Sequence, residues 1–187
     1  MAMNQVIPGI TSPNKLTIPV GSRDHIQGLI DAPISLLEYG DYECPACGQA
    51  YRVVKAVQQS LGNSLCFAFR NFPLTTIHPH AEHAAEAAEA AEAAAAQGNF
   101  WEMHDLLFEN QNALEDEDLA KNALILHLDI PLFITQLASG AFLERVKEDV
   151  VSGLKSGVNG TPTFFINGKL YDGPHAYGPL LAALAPS

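Results

Sequence analysis

The stretch from Ile34 to Ala50, ISLLEYGDYECPACGQA, constrains this chain more than any other. Ile34 to Leu37 is an apolar run of the length of a buried strand. Gly40 and Asp41 signal a turn. Cys44-Pro45-Ala46-Cys47 then leads into Gln49 to Leu61, which reads as a helix. Pro45 falls at the first helical position, where its missing N–H costs nothing. Cys44 therefore stands at the helix N-terminus, where unpaired N–H groups and the positive end of the dipole favour a thiolate. Cys47 lies about one turn deeper and is better shielded. The arrangement predicts an attacking thiol at Cys44 and a resolving thiol at Cys47.

Two plainer readings compete with this one. A Cys-x-x-Cys is also half of a zinc site, which needs four ligands. The third cysteine is Cys66 and there is no second Cys-x-x-Cys, although His78, His80 and His83 could complete a set. A Cys-Pro-x-Cys between a strand and a helix belongs more often to redox chemistry than to structural zinc. A purely structural disulfide is disfavoured because so small a ring closes little loop and stabilises little. The redox reading is preferred, with no metal and no cofactor expected.

At 187 residues the chain makes one domain, or one domain with an insertion. Its 48% apolar and 17% charged residues are those of an ordered globular protein. A net charge of −11 argues against nucleic acid as a partner and against anionic membrane surfaces. No run reaches the length of a transmembrane helix. The first residues show neither a basic segment nor an apolar one of the signal-peptide kind. The expectation is a cytoplasmic chain, or a periplasmic or extracytoplasmic one if a signal has been removed. Three cysteines argue against a secreted disulfide framework and leave Cys66 as a free thiol that fills core.

Along the chain, residues 1–14 read as a loose leader. Leu16 to Val20 reads as an edge strand, the setting in which Pro19 is tolerated, and Asp24 to Ala32 as connection. Ser64 to Arg70 is a second strand after a Gly62-Asn63 helix stop. His80 to Gln97 is an alanine- and glutamate-rich helix. Its Glu82, Glu86, Glu89 and Glu92 recur at spacings of four and three and are expected to form one solvated face. Phe100 to Phe108 carries an amphipathic face that includes His104. Glu115–His127, Pro131–Ser139 and Ala141–Lys155 are three further helices. Thr163 to Ile166, Asn167-Gly168 and Lys169 to Tyr171 spell a hairpin with a type I′ turn. His175 to Ala185 closes the chain as a helix. Strands on both sides of a helical block suggest an α/β domain with an insertion. The division is 15–74 with 156–187 for the α/β part and 75–155 for the insertion. His25 and His127 look isolated.

Four pieces in this order resemble the DsbA-like branch of the thioredoxin superfamily. They are Leu37-Glu38-Tyr-Gly-Asp-Tyr-Glu-Cys44-Pro-Ala-Cys47, Phe69-Arg-Asn-Phe-Pro73-Leu, Phe100-Trp-Glu-Met-His-Asp-Leu-Leu-Phe108 and Gly160-Thr161-Pro162-Thr-Phe-Phe-Ile-Asn-Gly168. The resemblance runs from about Leu16 to the C-terminus. It implies a thioredoxin-like fold interrupted by a helical insertion, and thiol–disulfide exchange with protein or peptide substrates and a separate redox partner. It also implies that Cys44 is the nucleophile, Cys47 the resolving thiol, and Pro162 a cis-proline facing them. Pro45, Ala46, Thr161 and Pro162 would then line the substrate side, with the Thr161 backbone pairing to a substrate strand. The ordinary alternative for Pro162 is a trans proline opening a strand. Glu38 resembles the buried acid beneath Cys47, raised in pKa and able to take its proton. The ordinary alternative is an exposed edge carboxylate.

One departure bears on direction. Strongly oxidising members of that branch carry a histidine where this chain has Ala46, and Asp41 and Glu43 stand nearby in sequence. Both features are expected to hold the Cys44 pKa higher and make the disulfide less oxidising. Oxidase, isomerase and reductase directions stay open at this stage. The competing function is a thioredoxin-fold module that binds metal or peptide without redox turnover. A glutathione-using transferase or isomerase is disfavoured because that chemistry has no need of Cys47.

Overall fold

The computed structural model of the chain describes residues 14–74 and 81–185, with 81–84 described for the backbone only. Five strands form one mixed sheet: β1 (His25–Gln27), β2 (Ile34–Gly40), β3 (Leu65–Asn71), β4 (Thr163–Ile166) and β5 (Lys169–Tyr171). They lie in the order β1-β3-β2-β4-β5, with β2 and β3 parallel and every other pair antiparallel. A parallel pair needs a crossover, and α1 (Pro45–Leu61) supplies it between β2 and β3. Between β3 and β4 run α2 (Ala81–Ala95), α3 (Phe100–Glu109), α4 (Asp116–Ile125), α5 (Ile130–Ala138) and α6 (Leu143–Lys155); α7 (Tyr177–Leu184) follows the hairpin. That hairpin turns at Asn167 and Gly168, with φ of 48° and 74°, the positive pair a type I′ turn requires.

Period-two alternation assigns the sheet's two faces. Leu36, Phe67, Phe69 and Phe164 point to one side, where Val54 and Val57 of α1 and Met103 of α3 cover them. Leu37, Tyr39, Ala68 and Phe165 point to the other, against Phe72 and Val158. Glu38 shares the parity of Leu36. It therefore faces α1, the helix that carries the cysteines.

The structure corrects the sequence reading at three places. Leu16 to Val20 is not a strand; the ladder pairing beside it is a single bridge between Lys15 and Lys169. The cause is Arg70, fully buried on β3. Its guanidinium binds the Asp24 carboxylate at 2.8 and 3.0 Å and the carbonyls of Ile18 and Pro19 at 3.1 and 3.2 Å. Backbone turned inward to a cation cannot at the same time extend a sheet. The edge strand is instead β1, within the segment read as connection. Second, the glutamates of α2 do not form one wet face. Glu92 is buried and holds His25 at 3.0 Å and the Asn71 amide at 2.9 Å, while Glu86 and Glu89 are half-buried. Third, His25 is far from isolated: it also stacks on Phe100 with ring centroids 3.6 Å apart. Residues 1–13 of the proposed leader and the histidines His78 and His80 lie outside the described residues.

Candidate active site

Cys44 is the N-cap of α1, in extended backbone conformation, and Pro45 opens the helix. The turn before it is held from within. Cys44 N–H donates to the Asp41 carbonyl at 3.1 Å, and the Asp41 carboxylate accepts from Glu43 N–H at 2.8 Å and Leu74 N–H at 2.9 Å. Asp41 thus builds the loop with its carboxylate, in the turn that Gly40 and Asp41 signal in the sequence. Both cysteines are reduced; Cys47 is sealed from solvent and Cys44 is 6% exposed, with Pro45 and Ala46 lying exposed between them.

Thr161 and Pro162 come to this turn from the other end of the chain. The Cys44 sulfur lies 3.4 Å from the Thr161 carbonyl oxygen, to which it donates only when protonated, and the Thr161–Pro162 peptide bond is cis. Thr161 is half-buried and Pro162 buried just before β4. An open groove of about 520 Å³ runs beside Pro45, walled by Glu43, Phe108, Gln111, Leu114 and Glu115.

The two thiols differ sharply in acidity. The Cys47 thiol, donating to Cys44, draws the Cys44 pKa down to about 5 against the opposing effect of burial; the N–H groups of Cys47 and Ala46 assist. Burial and the neighbouring Cys44 push Cys47 well above the usual thiol range. At neutral pH the site therefore holds one thiolate and one thiol. The sequence reading credited the helix N-terminus alone. The partner thiol adds a donor to those of the helix N-terminus.

Glu38 is 2% exposed, with Phe69 and Phe164 paired beside it on β3 and β4. Burial first, and then the negative Cys44 sulfur, raise its pKa to about 8. Its Oε1 has no hydrogen-bond partner among the described residues. A cavity of about 10 Å³ beside it, bordered by Gln27, Lys55, Gln58 and His104, is close to the size of one water. His104 is buried among aromatic rings, 3.1 Å from the Tyr42 hydroxyl, and burial pulls its pKa well below the usual value, so it stays neutral. The amphipathic pattern placed His104 on a packed face, but could not show that this face closes over Glu38.

Cys66 lies on β3, 1% exposed, and burial with the nearby Asp24 charge raises its pKa. A thiol so placed is unreactive. Cys66→Ala is expected to leave disulfide turnover within about twofold of the parent. Loss of turnover in an insulin-reduction assay would mean that a third cysteine takes part.

A model of the thioredoxin family matches residues 21–185. Among solved structures, the fold is similar to that of oxidised BdbD from Bacillus subtilis, with a TM-score of 0.74 and 23% identity over 87% of this chain and 91% of that one. A thioredoxin-like oxidoreductase from Silicibacter pomeroyi gives 0.75 and 22% over the same shares. MdbA, a thiol-disulfide oxidoreductase from Corynebacterium diphtheriae, gives 0.70 and 17% over 87% and 90%. Sequence relatives carry a different name. The chain is 45% identical over 170 residues to the Na(+)/H(+) antiporter NhaA 3 of Salinispora tropica, which covers 90% of this chain and 26% of that protein. NhaA 1 of a Mycobacterium species matches at 43% over 164 residues, 87% and 26%. The chain thus spans about a quarter of the length of these curated relatives. No helix among the described residues is long and apolar enough to cross a membrane.

Proposed function

Because the chain belongs to the thioredoxin family and has the fold of its DsbA-like branch, we propose that it is a protein thiol–disulfide oxidoreductase working through Cys44 and Cys47. The observation that carries this reading is the arrangement of the two sulfurs: Cys44 caps α1 beside the cis Thr161–Pro162 bond and Cys47 is sealed from solvent behind it, an arrangement that lowers the pKa of the first and raises that of the second. A peptide-binding module has no use for such a pair, and a metal site would need both sulfurs as thiolates.

In the reducing direction the Cys44 thiolate attacks a substrate disulfide. The substrate S–S bond breaks, one substrate sulfur leaves as a thiolate, and the other is joined to Cys44. Cys47 then gives its proton to the Glu38 carboxylate and attacks the Cys44 sulfur. The second substrate thiolate leaves, and Cys44 and Cys47 are left as a disulfide. Run backwards, the same steps oxidise a substrate dithiol. Thr161 and Pro162, beside Cys44, and the exposed Pro45 and Ala46 would meet the substrate chain. The 10 Å³ cavity beside Glu38 supports a water through which its proton could exchange.

The thiolate acidity sets an expected direction. A Cys44 pKa of about 5 lies between roughly 3.5 for DsbA and roughly 7 for thioredoxin. Each pKa unit of thiolate stabilisation is worth about 30 mV in a two-electron couple. Scaled from about −120 mV for DsbA and about −270 mV for thioredoxin, the expected potential is roughly −165 to −210 mV. Equilibration with glutathione measures it, and Ala46→His should shift it upward. A value at or above −120 mV, or below −270 mV, would contradict the assignment of thiolate stability to these donors. A couple in the expected window would be held reduced by a cytosolic glutathione pool and would act as an oxidant only in an oxidising compartment. The antiporter-named relatives support a reading in which domains of this type also occur within longer chains.

A further inference from the structure

Gly48 is the fourth residue of α1, a place where helix propensity favours almost any other residue. Its φ is not in the left-handed region, so backbone conformation does not require glycine there. Space does. A Cβ at position 48 would overlap the side-chain amide of Gln111, which lies against the Gly48 backbone. Gln111 comes from the connection between α3 and α4, more than sixty residues away in sequence. Its Nε2 donates to the Tyr42 carbonyl at 2.8 Å and to the Cys44 carbonyl at 2.9 Å. Both protons of one amide are thus placed on two carbonyls of the same turn. Gly48 N–H donates to that same Cys44 carbonyl at 3.1 Å.

We propose that Gln111 is a positioning residue for the redox turn: its amide clamps the Tyr42 and Cys44 carbonyls, and Gly48 is the gap that lets it in. The proposal rests on the redox reading of Cys44 and Cys47. Clamping the Cys44 carbonyl holds the backbone rotation that aims its sulfur at the N–H groups of Ala46 and Cys47. The two N–H dipoles also offset the partial negative charge of the Tyr42 and Cys44 carbonyl oxygens in the turn that carries that sulfur, so the thiolate is favoured twice. Glutamate matches glutamine in shape but has no protons to donate, and asparagine is one methylene shorter.

The test follows thiolate absorbance at 240 nm against pH in the reduced protein, and the potential against glutathione. Gln111→Ala should raise the Cys44 pKa by about 0.5 to 1 and lower the potential by about 15 to 30 mV, the same change expressed through the two-electron constant. Gln111→Glu should act in the same direction and at least as strongly. Gly48→Ala keeps the amide but displaces it, and should reproduce the shift of Gln111→Ala. In the Gln111→Ala background, Gly48→Ala should add nothing, an outcome that general loosening of the fold would not give. A Gln111→Ala protein that keeps its circular dichroism and titrates within about 0.2 of the parent overturns the proposal. If Gln111→Ala does not fold, an unshifted Gly48→Ala overturns it instead. A parent protein with no acidic thiol and no turnover defeats the redox reading; a parent with both, beside unshifted variants, defeats only the clamp.

Discussion

Cys44→Ser should lower insulin-disulfide reduction at least about 10³-fold, because a serine hydroxyl is un-ionised at neutral pH and is a poor nucleophile toward sulfur. Cys47→Ser should behave differently. Its Cys44 loses the thiol that donates to it, the largest contribution to its acidity. A serine hydroxyl can take over part of that donation, so attack continues at a reduced rate. Release cannot follow, because no second sulfur remains to displace the substrate. Cys47→Ser should therefore accumulate mixed disulfides with substrate, seen as a mass increase that dithiothreitol removes. Full turnover by both variants would end the two-thiol mechanism. Metal content by mass spectrometry is a useful companion measurement, since the competing binding module would carry a metal stoichiometrically.

Glu38→Gln should slow release of the mixed disulfide by about 10²-fold, the usual scale of general base catalysis, and leave the initial attack nearly unchanged. Charge separates the two steps. In the reduced protein Glu38 is protonated below about pH 8, partly because the Cys44 thiolate opposes a second negative charge. When Cys44 enters a mixed disulfide that opposition disappears and the Glu38 pKa falls. Burial, the larger cause, still holds it above the ordinary carboxylate value, but a greater share of carboxylate is present at the step where Cys47 must lose its proton. Glutamine is neutral, as protonated Glu38 is, so attack below pH 8 feels little change. Single-turnover kinetics across pH 6 to 9 separate the two steps, and an unchanged release rate would remove Glu38 from the site.

The same carboxyl sets a pH dependence of stability. Its pKa is about 8 folded against an ordinary 4.5 unfolded. Between those values the folded state holds a proton the unfolded state has released, so stability falls as pH rises through that window. The loss levels off above about pH 8. At about 1.4 kcal/mol per pH unit it amounts to up to about 5 kcal/mol. Glu38→Gln removes the effect, so the variant should gain on the parent steadily from pH 4.5 to 8 in denaturant titrations. A gap between the two that stays constant over this range would mean that the carboxyl is not held neutral.

Much of the fold around the site is legible in the sequence because it depends on close neighbours along the chain. The strand, turn and helix around Cys44 follow from an apolar run, a glycine-aspartate turn and a proline at the first helical position. The positive φ values at Asn167 and Gly168 suit those two residue types. Alternation along β2 places Glu38 on one face, and the fold makes that face the one under α1. The errors fall where local pattern and distant partner disagree. Leu16 to Val20 has strand-like residues, yet its carbonyls turn to Arg70, whose buried charge needs acceptors more than the sheet edge needs a strand. The periodic glutamates of α2 have the spacing of a solvated face, yet Glu92 is drawn inward by His25 and Asn71.

The sequence by itself marked Cys44 and Cys47 as the candidates for the chemistry, because helix dipole, cap and spacing act within one turn of chain. Only the tertiary structure decided how strongly they carry it. The Cys44 sulfur meets the Thr161 carbonyl across 117 positions of sequence, and its backbone meets Gln111 across 67. Glu38 rises to about 8 because α1 and α3 help bury it against the sheet and the Cys44 sulfur adds a nearby negative charge. Hydrogen bonding and desolvation act over a few ångströms of space, and no periodicity along the chain records which distant segments will share them.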